Sequence, residues 1–456
     1  MATFFFCGIG GIGMSAIALY LKNTGHTVMG SDRSFDLQNT SAVQNNLINA
    51  GITLYPQDGS GVSSNIDCFV VTRAVEDTIP DIKKAVELGL TIKKRPEILA
   101  EIFHAYKGIA IGGTCGKTSI TAMTSHILYK NKFAPTMING GISLNTYNGM
   151  PCSNLIFGNG SYLVIEADES DGSIEKYNPF ISVVSNISLD HFELDKIRPL
   201  FEDFLNRTRH GIVINADCPE TAKLHLVHPN IIRFSTNGAP ADLMATNITP
   251  LEGGVSFKLN GEWTTLPMIG EHNVANALAA IGASLHAGIS ISDSLKALNS
   301  FKGTKRRLQK IGKTNNIVVY DDYAHNPEKI RAALSALKSY GGHIFAIYQP
   351  HGFAPMRLMK DEFIHVLTDI MDNRLTLIMP DIYYVGGTVA KDISSEDVIT
   401  PLAQMGKQAV YIPNRTDILT YLSGQIKSGD KIVVMGARDD SLSDFAQEIF
   451  KTVQGA

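Results

Sequence analysis

The 456-residue chain has five cysteines and no CxxC pair or metal-ligand spacing among them: Cys7, Cys68, Cys115, Cys152 and Cys218 stand apart. That argues against a disulfide framework and a zinc site, and it fits a reducing compartment. Charge of one sign is also lacking. The 40 basic residues face 44 acidic ones, a net charge of −4 with no dominant basic run, so no nucleic-acid partner is expected. No stretch reaches the about 18 uninterrupted apolar residues that a membrane span requires. The apolar start, "MATFFFCGIGGIGM", has no basic residue and is broken by glycines. It reads as a buried strand rather than a signal peptide, and the expected location is cytoplasmic with no membrane insertion. Internal repeats and low-complexity tracts are missing too.

What is present is an ordinary soluble balance, 44% hydrophobic and 18% charged, in a chain too long for one core. Short β-rich apolar runs alternate with helical patterns, the mark of stacked βαβ units. The expected fold class is α/β in three domains, at 1–107, 108–303 and 304–456. Within the central block, "GGVSFKLNGEWTTLPM" carries an Asn-Gly hairpin signal, so a small antiparallel patch is predicted there.

Two glycine loops carry the first chemistry. "GGTCGKTS" follows an apolar strand and opens a helix, but the usual P-loop glycine six residues before the lysine is Ile111. The logic survives that change. Gly113 and Gly116 let backbone N–H groups turn toward phosphate oxygens, the helix N-terminus adds partial positive charge, Lys117 adds a full one, and Thr118 can place a hydroxyl on Mg²⁺. The phosphate site is thus Gly113, Thr114, Cys115, Gly116, Lys117, Thr118 and Ser119, with ATP as ligand; a tight turn with a solvated lysine is the alternative. "GIGGIG" (Gly8, Gly10, Gly11, Gly13), with Asp32 near the end of the next strand, matches a dinucleotide fingerprint. It suits NAD(P) in an oxidoreductase, a UDP-sugar diphosphate, or a turn made only for close packing.

Acidic groups collect at strand ends. "VIEADESDGS" places Glu166, Asp168, Glu169 and Asp171 there, and "NISLDHFE" places Asp190, His191 and Glu193. Oxygen ligands and an imidazole beside phosphates suit Mg²⁺, although Asp171 and Asp190 could equally cap helices. "GEHNVANALAA" offers His272, Asn273 and Asn276 at a helix start. "GTKRRL" offers Arg306 and Arg307, as phosphate ligands or as a solvated linker. "VYDDYAHNP" sets Asp321, Asp322, Tyr323 and His325 at another strand end.

In this order and spacing, "GIGGIGMS", "GGTCGKTS", "EADESD", "NISLDH", "GEHNVANA", "GTKRRL" and "DDYAHNP" resemble the Mur ligase family of peptidoglycan synthesis, over essentially the whole chain. Within it the likeness is greatest to members that add L-alanine to UDP-N-acetylmuramate. The resemblance implies an ATP-dependent amide ligase working through an acyl phosphate, with a Rossmann-like N-terminal domain for the UDP-sugar, a central P-loop ATPase-like domain and a Rossmann-like C-terminal domain for the amino acid; a monomer or homodimer is expected. It implies that Lys117 neutralises β/γ-phosphate charge, that Thr118 and Glu166 hold one Mg²⁺ and that His191 holds a second. By the same likeness His272 and Asn273 meet the adenine side, Arg307 or Arg306 the γ-phosphate, Asp322 the ribose or metal, and His325 joins the catalytic set. Gly8 to Gly13, Asp32, Asn139 and Gly140 fall to the UDP-sugar. The family pattern is broken at Cys115, where histidine is usual, and in "QPHGFAPMR", where Gly352 and Pro355 replace arginines expected at the acceptor. His351 and Arg357 are the acceptor-site candidates, Lys360 and Arg438 further cations. The acceptor is then L-alanine or, as in the family's recycling branch, a whole tripeptide.

Overall fold

The computed structural model describes residues 1–36, 42–72, 78–147, 153–188, 193–384 and 390–455. Cys152, Asp190 and His191 lie outside them. It is an α/β protein with three sheets, distributed over two compact units, 1–244 with 275–301, and 245–274 with 302–456.

The first sheet holds β1 (Thr3–Cys7), β2 (Thr27–Ser31), β3 (Thr53–Tyr55), β4 (Cys68–Val71) and β5 (Ile92–Lys94), all parallel in the order β3-β2-β1-β4-β5. The order reverses at β1, where an open α/β sheet forms a ligand crevice. The run Phe4-Phe5-Phe6 suits β1 because a central parallel strand is covered on both faces, and Phe5, Phe6 and Cys7 are fully buried.

The second sheet is built on β6 (Lys107–Gly112), β7 (Thr136–Ile138), β8 (Leu155–Ile156), β9 (Tyr162–Glu166), β10 (Ile181–Val184), β11 (Gly211–Asn215) and β12 (Ile231–Ser235). Its order is β12-β11-β10-β6-β9-β7-β8, with β6 central and only β8 antiparallel. Strand β13 (Leu243–Leu251) pairs with β12 through Leu243 and Met244. Its remaining residues belong to the second unit and form an antiparallel meander with β14 (Gly254–Leu259) and β15 (Glu262–Leu266). The predicted hairpin turn is there. Asn260 and Gly261 have φ of 48° and 94°, the doubly positive turn that Asn-Gly adopts at low cost.

The third sheet comprises β16 (Gln309–Thr314), β17 (Ile317–Asp322), β18 (Ile344–Gln349), β19 (Leu375–Met379), β20 (Ala409–Tyr411) and β21 (Lys431–Gly436), in the order β16-β17-β21-β18-β19-β20. Only β16 is antiparallel. Alternate residues feed two cores: Ala346, Tyr348 and Val433 pack with Ile330, Leu334 and Phe363, while Ile347, Ile432 and Val434 pack with Ile418, Phe445 and Ile449. Helices thus cover both faces.

The helix that opens at Lys117 (Lys117–Lys130) is pinned near its far end by His126, 1% exposed. The ring lies 3.1 Å from the Tyr147 hydroxyl through Nδ1, and 3.1 Å from the Ala297 carbonyl and 3.0 Å from Ser300 Oγ through Nε2. Burial pushes its pKa down from 6.5 to about 4. A histidine held neutral in the fold gains its proton first in the unfolded chain, so its contribution is intact above pH 6.5 and is lost toward pH 4. Urea unfolding followed by circular dichroism should show the midpoint falling through that window, with His126 carrying part of the fall. His126→Gln should flatten the fall, and an unchanged slope would mean that other groups carry it.

Candidate active site

The phosphate loop runs from the end of β6 into helix Lys117–Lys130. Gly113 and Gly116 have φ of 119° and 90°. Neither position has room for a side chain: a Cβ on Gly113 would lie 2.3 Å from Ser185 Oγ, and one on Gly116 would lie 2.4 Å from Asn276 Oδ1. The loop is shaped from outside by the residues that follow β10. Asn186 Oδ1 accepts from the Cys115 amide (2.9 Å), and Asn186 Nδ2 and Ser185 Oγ both donate to the Cys115 carbonyl (3.1 and 2.5 Å). Thr114 exchanges hydrogen bonds with the Ser188 backbone, donating to its carbonyl (3.2 Å) and accepting from its amide (3.0 Å). Because position 115 is gripped by its backbone, cysteine can stand where the family pattern has histidine without undoing the cradle. These clamps were not picked out from the sequence; "SVVSN" reads there as a strand end and nothing more.

Lys117 is where the site's charge gathers. Its ammonium donates to the Gly113 carbonyl and to Glu169 Oε2, both at 2.7 Å, and lies 3.8 Å from Asp168. Burial works against the charge, but Glu169 and Asp168 outweigh it and hold the lysine pKa above its ordinary value. These two carboxylates favour the charged form of Lys117. Glu169, 3% exposed, stands on the same "EADESD" segment as Glu166.

Glu166 ends β9 beside the loop. One oxygen accepts from Thr118 Oγ1 at 3.2 Å and the other from the Gly140 amide at 2.7 Å, while Asn139 Nδ2 donates to the Thr118 carbonyl at 3.3 Å. A hydroxyl and a carboxylate meeting at the mouth of a phosphate loop are the hard oxygen donors Mg²⁺ takes, one or two from protein with phosphate and water completing the shell. The pair fits that ion. Among the described residues no cluster of three or more His, Cys, Asp or Glu forms a metal site by itself.

The N-terminal glycine loop leaves β1 through Gly8, φ 85°, and enters helix Ile12–Asn23. Asp32 turns onto this loop: Oδ2 accepts from the Gly10 amide at 2.8 Å, and a Cβ on Gly10 would meet that oxygen at the same distance. Gly13 lies under Arg95, whose guanidinium pairs with Asp171. Asn154 Nδ2 donates to the Ile12 carbonyl at 2.5 Å.

In the second unit, the carboxyl edge of the third sheet gathers a different set. Arg306, 7% exposed at its side chain, donates to Asp321 (3.3 Å) and to the carbonyls of Asp439 (3.2 Å) and Gly436 (2.7 Å). Its guanidinium is committed inside the domain. Arg307 is half-buried over the Tyr323 ring, 5.2 Å from its centroid. Asp322 accepts the Leu308 (2.6 Å) and Ala324 (2.7 Å) amides, and burial, against the pull of Arg307, pushes its carboxyl up to about 6. His325 places Nδ1 2.9 Å from the Tyr323 carbonyl and meets His351 edge-on, centroids 5.1 Å apart. Burial drives both imidazoles to the neutral form, to about 3 for His325 and about 4 for His351. Also in this unit, burial pushes His272 down to about 4, and Asn273 donates to the Ile269 carbonyl at 2.8 Å. Arg357, on helix Phe353–Ile370, pairs with Asp392.

A glycine-rich cradle with a buried lysine, a Thr–Glu oxygen pair and a switch-point glycine loop define a nucleotide-handling α/β protein. Comparison with known proteins narrows this. Models of the Mur ligase family match in three consecutive parts: its catalytic domain at 3–107, the Mur ligase middle domain at 111–284 and the glutamate ligase domain at 306–438. The chain belongs to the Mur ligase family. It is 35% identical over 450 residues to a UDP-N-acetylmuramate–L-alanine ligase of Lachnospira eligens, covering 95% of each. To the enzyme so named from Mesorhizobium japonicum it is 36% identical over 453 residues, covering 95% of this chain and 94% of that one. The fold follows the UDP-N-acetylmuramate–alanine ligase of Thermotoga maritima with a TM-score of 0.80 at 25% identity, covering all of both chains. It also follows a murein peptide ligase of Psychrobacter arcticus, with a TM-score of 0.71 at 24% identity over 100% and 99% of the two chains. The three-domain α/β architecture is that of these structures. No helix among the described residues is long and apolar enough to cross a membrane.

Proposed function

We propose that this protein is an ATP-dependent ligase that joins the carboxylate of UDP-N-acetylmuramate to the amine of L-alanine. The observation that carries the reading is the pairing of full-length similarity to L-alanine-adding ligases with the Lys117–Thr118–Glu166 cradle. The sugar carboxylate attacks the γ-phosphorus of ATP and ADP departs; the amine then adds to the acyl phosphate carbon and phosphate leaves. Both steps bring negative groups together, so preorganised positive charge is the main catalytic requirement. Lys117 answers it on the phosphate chain, and Arg307 answers it at the γ-phosphate. Mg²⁺ held by Thr118 and Glu166 would add further compensating charge, and His191, outside the described residues, is the candidate for a second ion. Asp322 and His272 with Asn273 are assigned to the nucleoside of ATP. Gly8 to Gly13 cradle the uridine diphosphate at the β1 switch point, with Asn139 and Gly140 toward the sugar. Asp32, bonded to the Gly10 amide, acts there by fixing the loop. The reaction is placed in the cytoplasm, where its nucleotide substrates are.

One assay tests the reading: purified protein, Mg-ATP and UDP-N-acetylmuramate, with phosphate release compared across L-alanine, L-serine, glycine and the tripeptide. Release that requires both UDP-N-acetylmuramate and L-alanine is expected. Turnover indifferent to the sugar nucleotide would overturn the ligase reading, and preference for the tripeptide would move the protein to the recycling branch.

A further inference from the structure

The acceptor's carboxylate needs a cation, and the positions where the family pattern supplies arginine are here Gly352 and Pro355. Three other basic groups of this domain have carboxylates close by. Arg357 is paired with Asp392, half-buried Lys360 sits 3.9 Å from neighbouring Asp361, and Arg415 is bonded to Gln349 (2.6 Å), Ser441 (2.8 Å) and Asp439. Arg438 is different. It is exposed, and its φ of 61° is a conformation that glycine adopts freely and arginine does not. The backbone is locked into it from both sides. Arg306 binds the carbonyls of Gly436 and Asp439, and Arg415 holds the Asp439 carboxylate.

Its position follows from the sheet. Gln349 and Gly436 are register partners in adjacent β18 and β21, so Pro350–Gly352 and Ala437–Asp439 leave the same carboxyl edge side by side. On the first of these loops His351 is 8% exposed, and its buried Nδ1 has no hydrogen-bond partner among the described residues. A buried polar atom without a partner is costly, and a ligand that supplies one removes the cost. An exposed arginine on a held backbone and an unsatisfied imidazole thus stand on adjacent loops, at the edge of the sheet where open α/β folds bind ligands.

We propose that Arg438 anchors the α-carboxylate of a free amino-acid acceptor, with His351 Nδ1 as the adjacent hydrogen-bonding group, in place of the arginines absent at positions 352 and 355. This rests on the ligase reading. The ligand class follows from the chemistry: a carboxylate close to the attacking amine, which a free amino acid has and which in a peptide's first residue is an amide.

The test is Arg438→Gly, which removes the cation and suits the backbone angle, so a melting temperature at or above that of the wild type is expected. Its KM for L-alanine should rise roughly 10- to 100-fold, the loss of one charged hydrogen-bonded contact, with kcat and the KM values for ATP and UDP-N-acetylmuramate unchanged. Arg438→Lys should recover part of the loss. L-Alaninamide keeps the amine and lacks the carboxylate; the wild type should discriminate against it and Arg438→Gly should not. An unchanged L-alanine KM, or discrimination that survives in the glycine variant, overturns the proposal. Absence of acceptor-dependent phosphate release in the wild type overturns the ligase reading itself, and that result is read without any variant.

Discussion

Lys117→Ala should lose amide formation by about 10²–10³-fold or more, corresponding to roughly 3–4 kcal/mol of transition-state stabilisation, the usual cost of deleting one preorganised charge donor. UDP-N-acetylmuramate binding, measured by calorimetry without ATP, should persist, because the uridine diphosphate is assigned to the loop at Gly8 to Gly13. The geometry sharpens the expectation. Lys117 is held at 2.7 Å from Glu169, so its loss also strands a carboxylate that is 3% exposed. Lys117→Ala/Glu169→Gln separates the two effects: it should regain thermal stability lost by the single variant and regain no activity. Joint loss of sugar-nucleotide binding and ligation would make Lys117 a structural residue.

Arg306→Met should destabilise the protein by about 3–5 kcal/mol, the range for removing one partner of a buried ion pair. Asp321, fully buried, would keep the Ser443 hydroxyl at 2.6 Å but no arginine, and the carbonyls of Gly436 and Asp439 would lose the Arg306 donor. The urea midpoint measures this. Arg306→Met/Asp321→Asn should recover part of the loss, since the uncompensated charge is then gone. A midpoint shift worth less than about 1 kcal/mol, the value of a surface pair, would show that the clasp is solvated. Sequence spacing gives Arg306 and Arg307 equal claims on a phosphate; burial separates them, with Arg306 tied into the domain and Arg307 half-buried over Tyr323.

Much of the architecture could be read before folding because parallel sheets leave a plain trace. Strands covered on both faces are unbroken apolar runs, as in "TFFFC", "GIAIG" and "KIVVMG", and glycines mark the sharp exits from them. The Asn260-Gly261 hairpin was legible for the same local reason, since two consecutive positive φ angles restrict the residue types. What stayed hidden was who touches whom. Asn186, Glu169 and Asn276 shape or charge the phosphate loop from 52 to 160 residues away, as their numbers against Lys117 and Gly116 show. Asp32, legible as the acidic partner of the glycine fingerprint, also braces Gly10, a contact that no spacing shows.

The sequence alone determined the α/β class, the two glycine loops and the residue types available for phosphate and metal, because backbone geometry and chemical identity are local properties. The tertiary structure decided which of those groups are already bonded: Lys117 to Glu169, Arg306 to Asp321 and Arg357 to Asp392, with Arg438 exposed at the sheet edge. The physical reason is that burial and pairing set the worth of a charge, and both depend on neighbours that only the folded chain brings near.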